Sequence, residues 1–173
     1  MRKDDLIDVS LNKERGSSIT LIGGISNRWD NMEYIITDKT TKVNFNKFLK
    51  HIKNHITSNC VMVLDNHSAH RNVDSVNLAW AMGIKLHFLP ATASELNPVE
   101  RMWSFFKKKW RQRLYNPEFT ITKYNCIDHI KVVLDQIKGM GKKLAEGPMS
   151  HMIKWCNPIQ MEPEQIQFRF TNT

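Results

Sequence analysis

The chain has 173 residues and carries 25 Lys+Arg against 17 Asp+Glu, a formal charge of +8 with His neutral. That length suits one domain with a core of its own, without disulfide staples. A hydrophobic fraction of 41% with five Trp excludes a disordered chain. No stretch reaches the ~18 apolar residues of a membrane span. No apolar signal-peptide core follows Met1-Arg2-Lys3-Asp4-Asp5. The expectation is therefore a soluble, unsecreted protein. A pI of about 9.5 fits a polyanionic partner such as nucleic acid, and fits an anionic membrane surface or a ribosome as well. Cys60, Cys126 and Cys156 form no CxxC pair. They fit reduced thiols rather than a zinc site.

Residues 1–18 are polar, apart from Leu6-Ile7 and Val9. Ile19-Thr20-Leu21-Ile22-Gly23-Gly24-Ile25 is β-branched and apolar and predicts a buried strand. Asn27-Arg28-Trp29-Asp30-Asn31 predicts a turn, and residues 32–37 the returning strand of a hairpin. Asn44 is the expected N-cap of an amphipathic helix over 44–57, with Phe45, Phe48, Leu49, Ile52 and Ile56 on its apolar face. Cys60-Val61-Met62-Val63-Leu64 is continuous and apolar, as in a central buried strand. It ends abruptly in Asp65-Asn66-His67-Ser68-Ala69-His70. Residues 72–82 predict a helix stopped by Gly83. Residues 84–89 predict a strand ended by Pro90, with a loop over 91–96.

Asn97 suits an N-cap and Pro98 the first helical position. Val99, Met102, Trp103, Phe106 and Trp110 then recur at helical spacing, giving a helix to about Leu114. A further helix is expected over 123–138 and a short one near 149–156, with a polar tail over 158–173. The domain plan is thus an N-terminal segment 1–18, one domain over 19–157, and the tail. Alternating strands and helices after a hairpin imply an α/β layer with a mixed sheet.

Two carboxylates stand where chemistry occurs in such sheets, at the carboxyl ends of strands. Asp65 directly follows an apolar strand, although an Asp there also commonly starts a turn. Glu100 lies in the first turn of the next helix but one. Asn97-x-x-Glu100 also has the form of a capping box, which by itself would account for the acid. If the strands ending at Leu64 and Leu89 lie side by side, both carboxylates rise on one sheet edge and can share a divalent cation. Glu95 competes with Glu100, but a helix holds a carboxylate better than a loop. His67 and His70 lack the acidic companions of a metallophosphatase. Ser68 and His70 stand too close in sequence for a nucleophile–base pair.

Two segments resemble a known family. Leu64-Asp65-Asn66-His67-Ser68-Ala69-His70 resembles the Asp-Asn-x-x-x-His strand end of mariner-type DDE transposases. Phe88-Leu89-Pro90 through Ser94-Glu95-Leu96-Asn97-Pro98-Val99-Glu100-Arg101-Met102-Trp103 resembles their LP-x-x-S-x-x-L-N-P-I-E-x-x-W stretch. The 34 residues between Asp65 and Glu100 are this group's characteristic gap. The resemblance implies an RNase H-like fold, a mixed sheet flanked by helices. It implies cleavage and transfer of DNA strands with two Mg²⁺ or Mn²⁺ ions held by three carboxylates. Asp65 matches the second and Glu100 the third, with Asn66, His70, Asn97, Pro98 and Trp103 completing the motifs. It further implies DNA as partner, a homodimer, and a nuclear location in a eukaryote or a cytoplasmic, nucleoid one otherwise.

The chain departs from the family at the first carboxylate. That residue lies on the first strand, several tens of residues before the segment that 19–26 resembles, and only 18 residues stand here. The expectation is a catalytic domain shortened at its N-terminus, with its first strand reduced or missing. Asp8, in Leu6-Ile7-Asp8-Val9-Ser10-Leu11, is the best substitute. Against it stands the plain reading of Asp4, Asp5 and Asp8 as solvated terminal charges. The alternatives are a catalytically dead remnant that binds DNA or protein, and a stand-alone RNase H-like nuclease. From Arg101 to Leu114 the chain has six basic residues and no acid. Of these, Lys107, Lys108, Arg111 and Arg101 are the candidates for contacts to DNA phosphates.

Overall fold

The computed structural model of the chain describes residues 18–56, 60–90 and 97–146. In chain order its elements are β1 (Thr20–Gly24), β2 (Glu33–Thr37), α1 (Lys42–Ile52), β3 (Cys60–Leu64), α2 (Val73–Ala81), β4 (Ile84–Phe88), α3 (Val99–Leu114) and α4 (Cys126–Ile137). Asp8, Glu95, the expected helix near 149–156 and the tail over 158–173 lie outside the described residues.

β1 and β2 form the expected antiparallel hairpin, with Leu21 opposite Ile36, Ile22 opposite Ile35 and Gly23 opposite Tyr34. Side chains alternate across a strand, so this register sorts them onto two faces. Leu21, Tyr34 and Ile36 pack against a core built from Met102, Phe106 and Trp110 of α3 and Ile130, Val133, Leu134 and Ile137 of α4. Ile22 and Ile35 pack the other way, against Phe45, Phe48, Leu49 and Ile52 of α1. Helices thus cover both faces of the hairpin, which is why its strands lack polar alternation. The close packing has a local requirement at Gly23. A Cβ there would stand 2.5 Å from Met32 Cε and 3.1 Å from Trp103 Cη2.

β3 and β4 run parallel, with Met62 opposite Leu86 and Leu64 opposite Phe88. These four side chains, with Ile84, face α1 and α2. The sequence suggested a strand buried on both faces, and this needs correction. Val61 points away from that core and is 57% exposed. Its register partner across the pair is Lys85, and that of Val63 is His87. Among the described residues the strands form two separate pairs, β1–β2 and β3–β4. β1 and β3 line a common cleft of about 460 Å³.

The first helix also departs from expectation. It begins at Lys42, and the Thr41 hydroxyl caps it by accepting from the Asn44 N–H at 3.2 Å. Thr41 has the extended backbone a cap requires. Asn44 instead lies inside the first turn, buried, and donates to Asp38 Oδ1 (3.2 Å) and the Lys39 carbonyl (3.0 Å). The helix ends at Ile52 and tightens into a 3₁₀ turn over Lys53–His55. α2 behaves as expected. Asn72 caps it by accepting from the Asp74 N–H at 3.0 Å, and Gly83 follows it with φ of 75°.

Candidate active site

The parallel pairing of β3 and β4 brings their carboxyl ends together. The Leu89 N–H donates to the Leu64 carbonyl at 2.8 Å, extending the ladder one residue past β4. The Asn66 side-chain amide donates to the Leu89 carbonyl, so the segment after β3 is tied to the segment after β4. This explains an Asn directly after Asp65, since one side chain staples both strand ends.

Asp65 opens the loop after β3 with its side chain half exposed. Its Oδ1 accepts from the His67 N–H at 3.1 Å and stands 2.7 Å from His70 Nδ1. An ionised carboxylate only accepts, so His70 carries its proton on Nδ1. Burial pushes the His70 imidazole below its ordinary pKa, outweighing the Asp65 carboxylate, which pulls it upward. At neutral pH the contact is therefore a hydrogen bond from a neutral ring rather than an ion pair. Asp65 Oδ2 has no hydrogen-bond partner among the described residues.

Glu100 stands exposed in the first turn of α3. The helix is capped from Asn97, whose Oδ1 accepts from the Val99 N–H at 3.3 Å and whose carbonyl accepts from the Glu100 N–H at 3.0 Å. The reciprocal half of a capping box is not made. Among the described residues the Glu100 carboxylate has no hydrogen bond or ion pair. The bland explanation of Glu100 thus loses its main support, and the acid is open to a ligand.

Asp65 and Glu100 line the same cleft, the one between β1 and β3, together with Asn97, Pro98 and Trp103. Among the described residues they are the only acids in its lining. Among the described residues no group of three or more His, Cys, Asp or Glu side chains is arranged to hold a metal ion. Two carboxylates with free oxygens still fit part of a hard-cation site, since Mg²⁺ and Mn²⁺ take oxygen ligands. Cys60 lines the cleft too, but burial pushes its thiol above the ordinary value, so it stays protonated and poorly nucleophilic.

The basic run resolves into two groups. Lys107, Lys108 and Arg111 line an open groove with Glu100, Ser104 and Gln112. The face extends about 16 Å along α3 from Glu100 to Arg111 at the usual helical rise. Arg101, beside Glu100, is exposed as well. None of these four cations has an acidic partner among the described residues. Arg113 turns inward instead. Its Nε donates to His129 Nδ1 at 2.7 Å and its guanidinium lies 4.0 Å from the Phe119 ring centroid. It fastens α3 to α4 and leaves the basic face.

Sequence reasoning placed Asn66 and His70 only as motif members. Their partners, the Leu89 carbonyl and Asp65, become visible once β4 is paired and the loop after β3 has curled back. The five-residue step from Asp65 to His70, inside a turn-forming run, was the one available signal.

A family model described as a DDE superfamily endonuclease matches residues 2–121, well over half of the chain and including the segment that holds Asp8. None of the curated proteins compared matches the chain. Among solved structures, the chain is similar to one in a cryo-EM structure of the simian T-cell lymphotropic virus intasome in complex with the PP2A regulatory subunit B56 gamma. The identity is 14% and the TM-score 0.46, over 68% of this chain and 47% of that one. By its family match, the chain belongs to the DDE superfamily endonucleases, with the RNase H-like, mixed α/β fold expected from its motifs.

Proposed function

We propose that this domain is the catalytic core of a mariner-type DDE transposase, which cleaves DNA and joins the freed end to a second strand. One observation carries the reading. Asp65 and Glu100, with 34 residues between them in sequence, open onto one cleft with unengaged carboxylate oxygens. Asp65 and Glu100 would hold Mg²⁺ or Mn²⁺, and Asp8 would supply the third carboxylate. When bound, such ions activate the attacking hydroxyl and stabilise the leaving oxygen. Water would attack phosphorus and break a P–O bond, leaving a 3′-hydroxyl. That hydroxyl would then attack phosphorus in target DNA, forming the joint as the target strand's own P–O3′ bond breaks and its 3′-oxygen leaves. Lys107, Lys108, Arg111 and Arg101 would hold the phosphate backbone beside Glu100.

A second reading rests on the described part of the cleft lining, where Asp65 and Glu100 are the two acids. Without Asp8 the domain would bind DNA and leave it intact. One assay separates these readings. Supercoiled plasmid is incubated with the chain and Mg²⁺ or Mn²⁺, and nicks and joined products are scored separately. The catalytic reading expects nicking by the wild type, and none by Asp65→Asn, Glu100→Gln or Asp8→Asn. Nicking that persists in the Asp65 or Glu100 variant overturns it. Binding without nicking by the wild type supports the remnant. Nicking without joining supports a stand-alone nuclease.

A further inference from the structure

We propose that His70 is a positioning residue, which orients the Asp65 carboxylate so that Oδ2 stays presented to a divalent cation. The inference rests on the reading of Asp65 as a cation ligand and adds a residue to that site. Its ground is an asymmetry between the two side chains. Asp65 is 50% exposed and needs no protein partner for solvation, whereas His70 is only 14% exposed. A largely covered histidine gives its Nδ1 proton to a backbone carbonyl or to a carboxylate, and His70 gives its own to the half-exposed Asp65 carboxylate at 2.7 Å.

The donor itself is held in place. The His70 ring lies 4.5 Å, centroid to centroid, from Phe45, which is 1% exposed within α1. The His70 N–H donates to the His67 carbonyl at 2.9 Å. Next to it, the Ala69 carbonyl accepts from the Ser75 hydroxyl at 3.3 Å, and Ser75 is wholly buried in α2. Two helices therefore fix the imidazole, and the imidazole fixes Oδ1. The His67 N–H adds a second bond to Oδ1 at 3.1 Å. Rotation of the carboxylate would break both. A ligand group anchored through rigid elements binds its ion more tightly than one free to rotate.

The test is Mn²⁺ binding to the intact chain without DNA, read from the electron paramagnetic resonance signal of free Mn²⁺. His70→Phe keeps an aromatic ring against Phe45 and removes the donor. His70→Asn restores an N–H near the Nδ1 position. The expected result is affinity weakened about 10- to 100-fold by the Phe variant, the usual scale for losing a ligand's supporting hydrogen bond. The Asn variant should recover most of it. Both should melt cooperatively near the wild type, so that a purely structural role would leave Mn²⁺ affinity unmoved. If the Phe variant does not fold, His70→Leu against His70→Asn makes the same comparison. Wild-type affinity in the donor-less variant, with binding lost in Asp65→Asn, overturns the role of His70 alone. Unchanged binding in Asp65→Asn overturns the reading of Asp65 itself.

Discussion

Neutralising the exposed cations of α3 should change how DNA binding responds to salt. Lys107, Lys108 and Arg111 lie on one groove with Glu100 and have no acidic partner among the described residues. By contrast, Lys42 pairs with Asp74, Lys131 with Asp128 and Lys142 with Asp30. Free cations facing one polyanion each release about one counterion, and each contributes about 0.9 to the slope of log K against log salt. Three Gln substitutions should therefore make that slope shallower by about 2.7. Over a fourfold rise from about 50 to about 200 mM salt, the wild type should lose about 40-fold more affinity than the triple variant. Fluorescence anisotropy of a labelled duplex across a salt series measures both slopes. Controls that combine Lys42→Gln, Lys131→Gln and Lys142→Gln remove equal charge elsewhere and should leave the slope nearly unchanged. An unchanged slope in the triple variant, or an equal change in the controls, would refute the assignment of this face to phosphate.

Three other outcomes follow from the packing and hydrogen bonds. Gly23→Ala should cost about 1 kcal/mol, the low end for overpacking, because a Cβ there displaces the flexible end of Met32 and presses on the Glu33 carbonyl and Trp103; an unshifted urea midpoint would contradict the close approach of α3 to β1. Glu100→Ala should change stability by less than about 1 kcal/mol, the scale of a helix-dipole contact, since Glu100 makes no cap bond here. A loss of about 2 kcal/mol or more would restore its role as a cap. The Asp38 carboxyl is held below the usual range, first by its own backbone N–H, then by the Thr37 hydroxyl, with the Asn44 amide contributing. A depressed carboxyl stabilises the fold above its unfolded value of about 3.9, and that contribution is lost as pH falls through the lower folded value. The gap in melting temperature between wild type and Asp38→Asn should therefore close on acidification to about pH 3, and a gap independent of pH would argue against it.

Much of this was legible in the sequence where a pattern is local. The continuous apolar run at 60–64, the 3.6-residue rhythm of α3 and Gly83 at the end of α2 all reflect constraints acting within a few residues. The parallel pairing of β3 and β4 stands in the sequence only as the condition under which Asp65 and Glu100 share an edge, and the structure meets that condition. What stayed hidden depends on partners distant in the chain. Asn44 has the chemistry of a cap, and only the folded loop shows that Asp38 and the Lys39 carbonyl claim it while Thr41 takes the cap. Arg113 reads as one more cation until α4 brings His129 beneath it. Val61 and Val63 look like core residues, but apolar sequence alone does not say whether one face or both will be covered. The tie between Asp65 and His70 needed the loop after β3 to curl onto Phe45.

Cleavage and joining both depend on Asp65 and Glu100 forming one cation site. An anomalous difference map from crystals of the chain grown with Mn²⁺ tests it directly. A peak is expected in the cleft, with carboxylate oxygens of Asp65 and Glu100 both about 2.1 Å from it, a distance typical of small hard cations. Mn²⁺ bound instead at the Glu33–His51 pair, where Oε2 and Nε2 lie 3.0 Å apart, with the cleft empty, would contradict it.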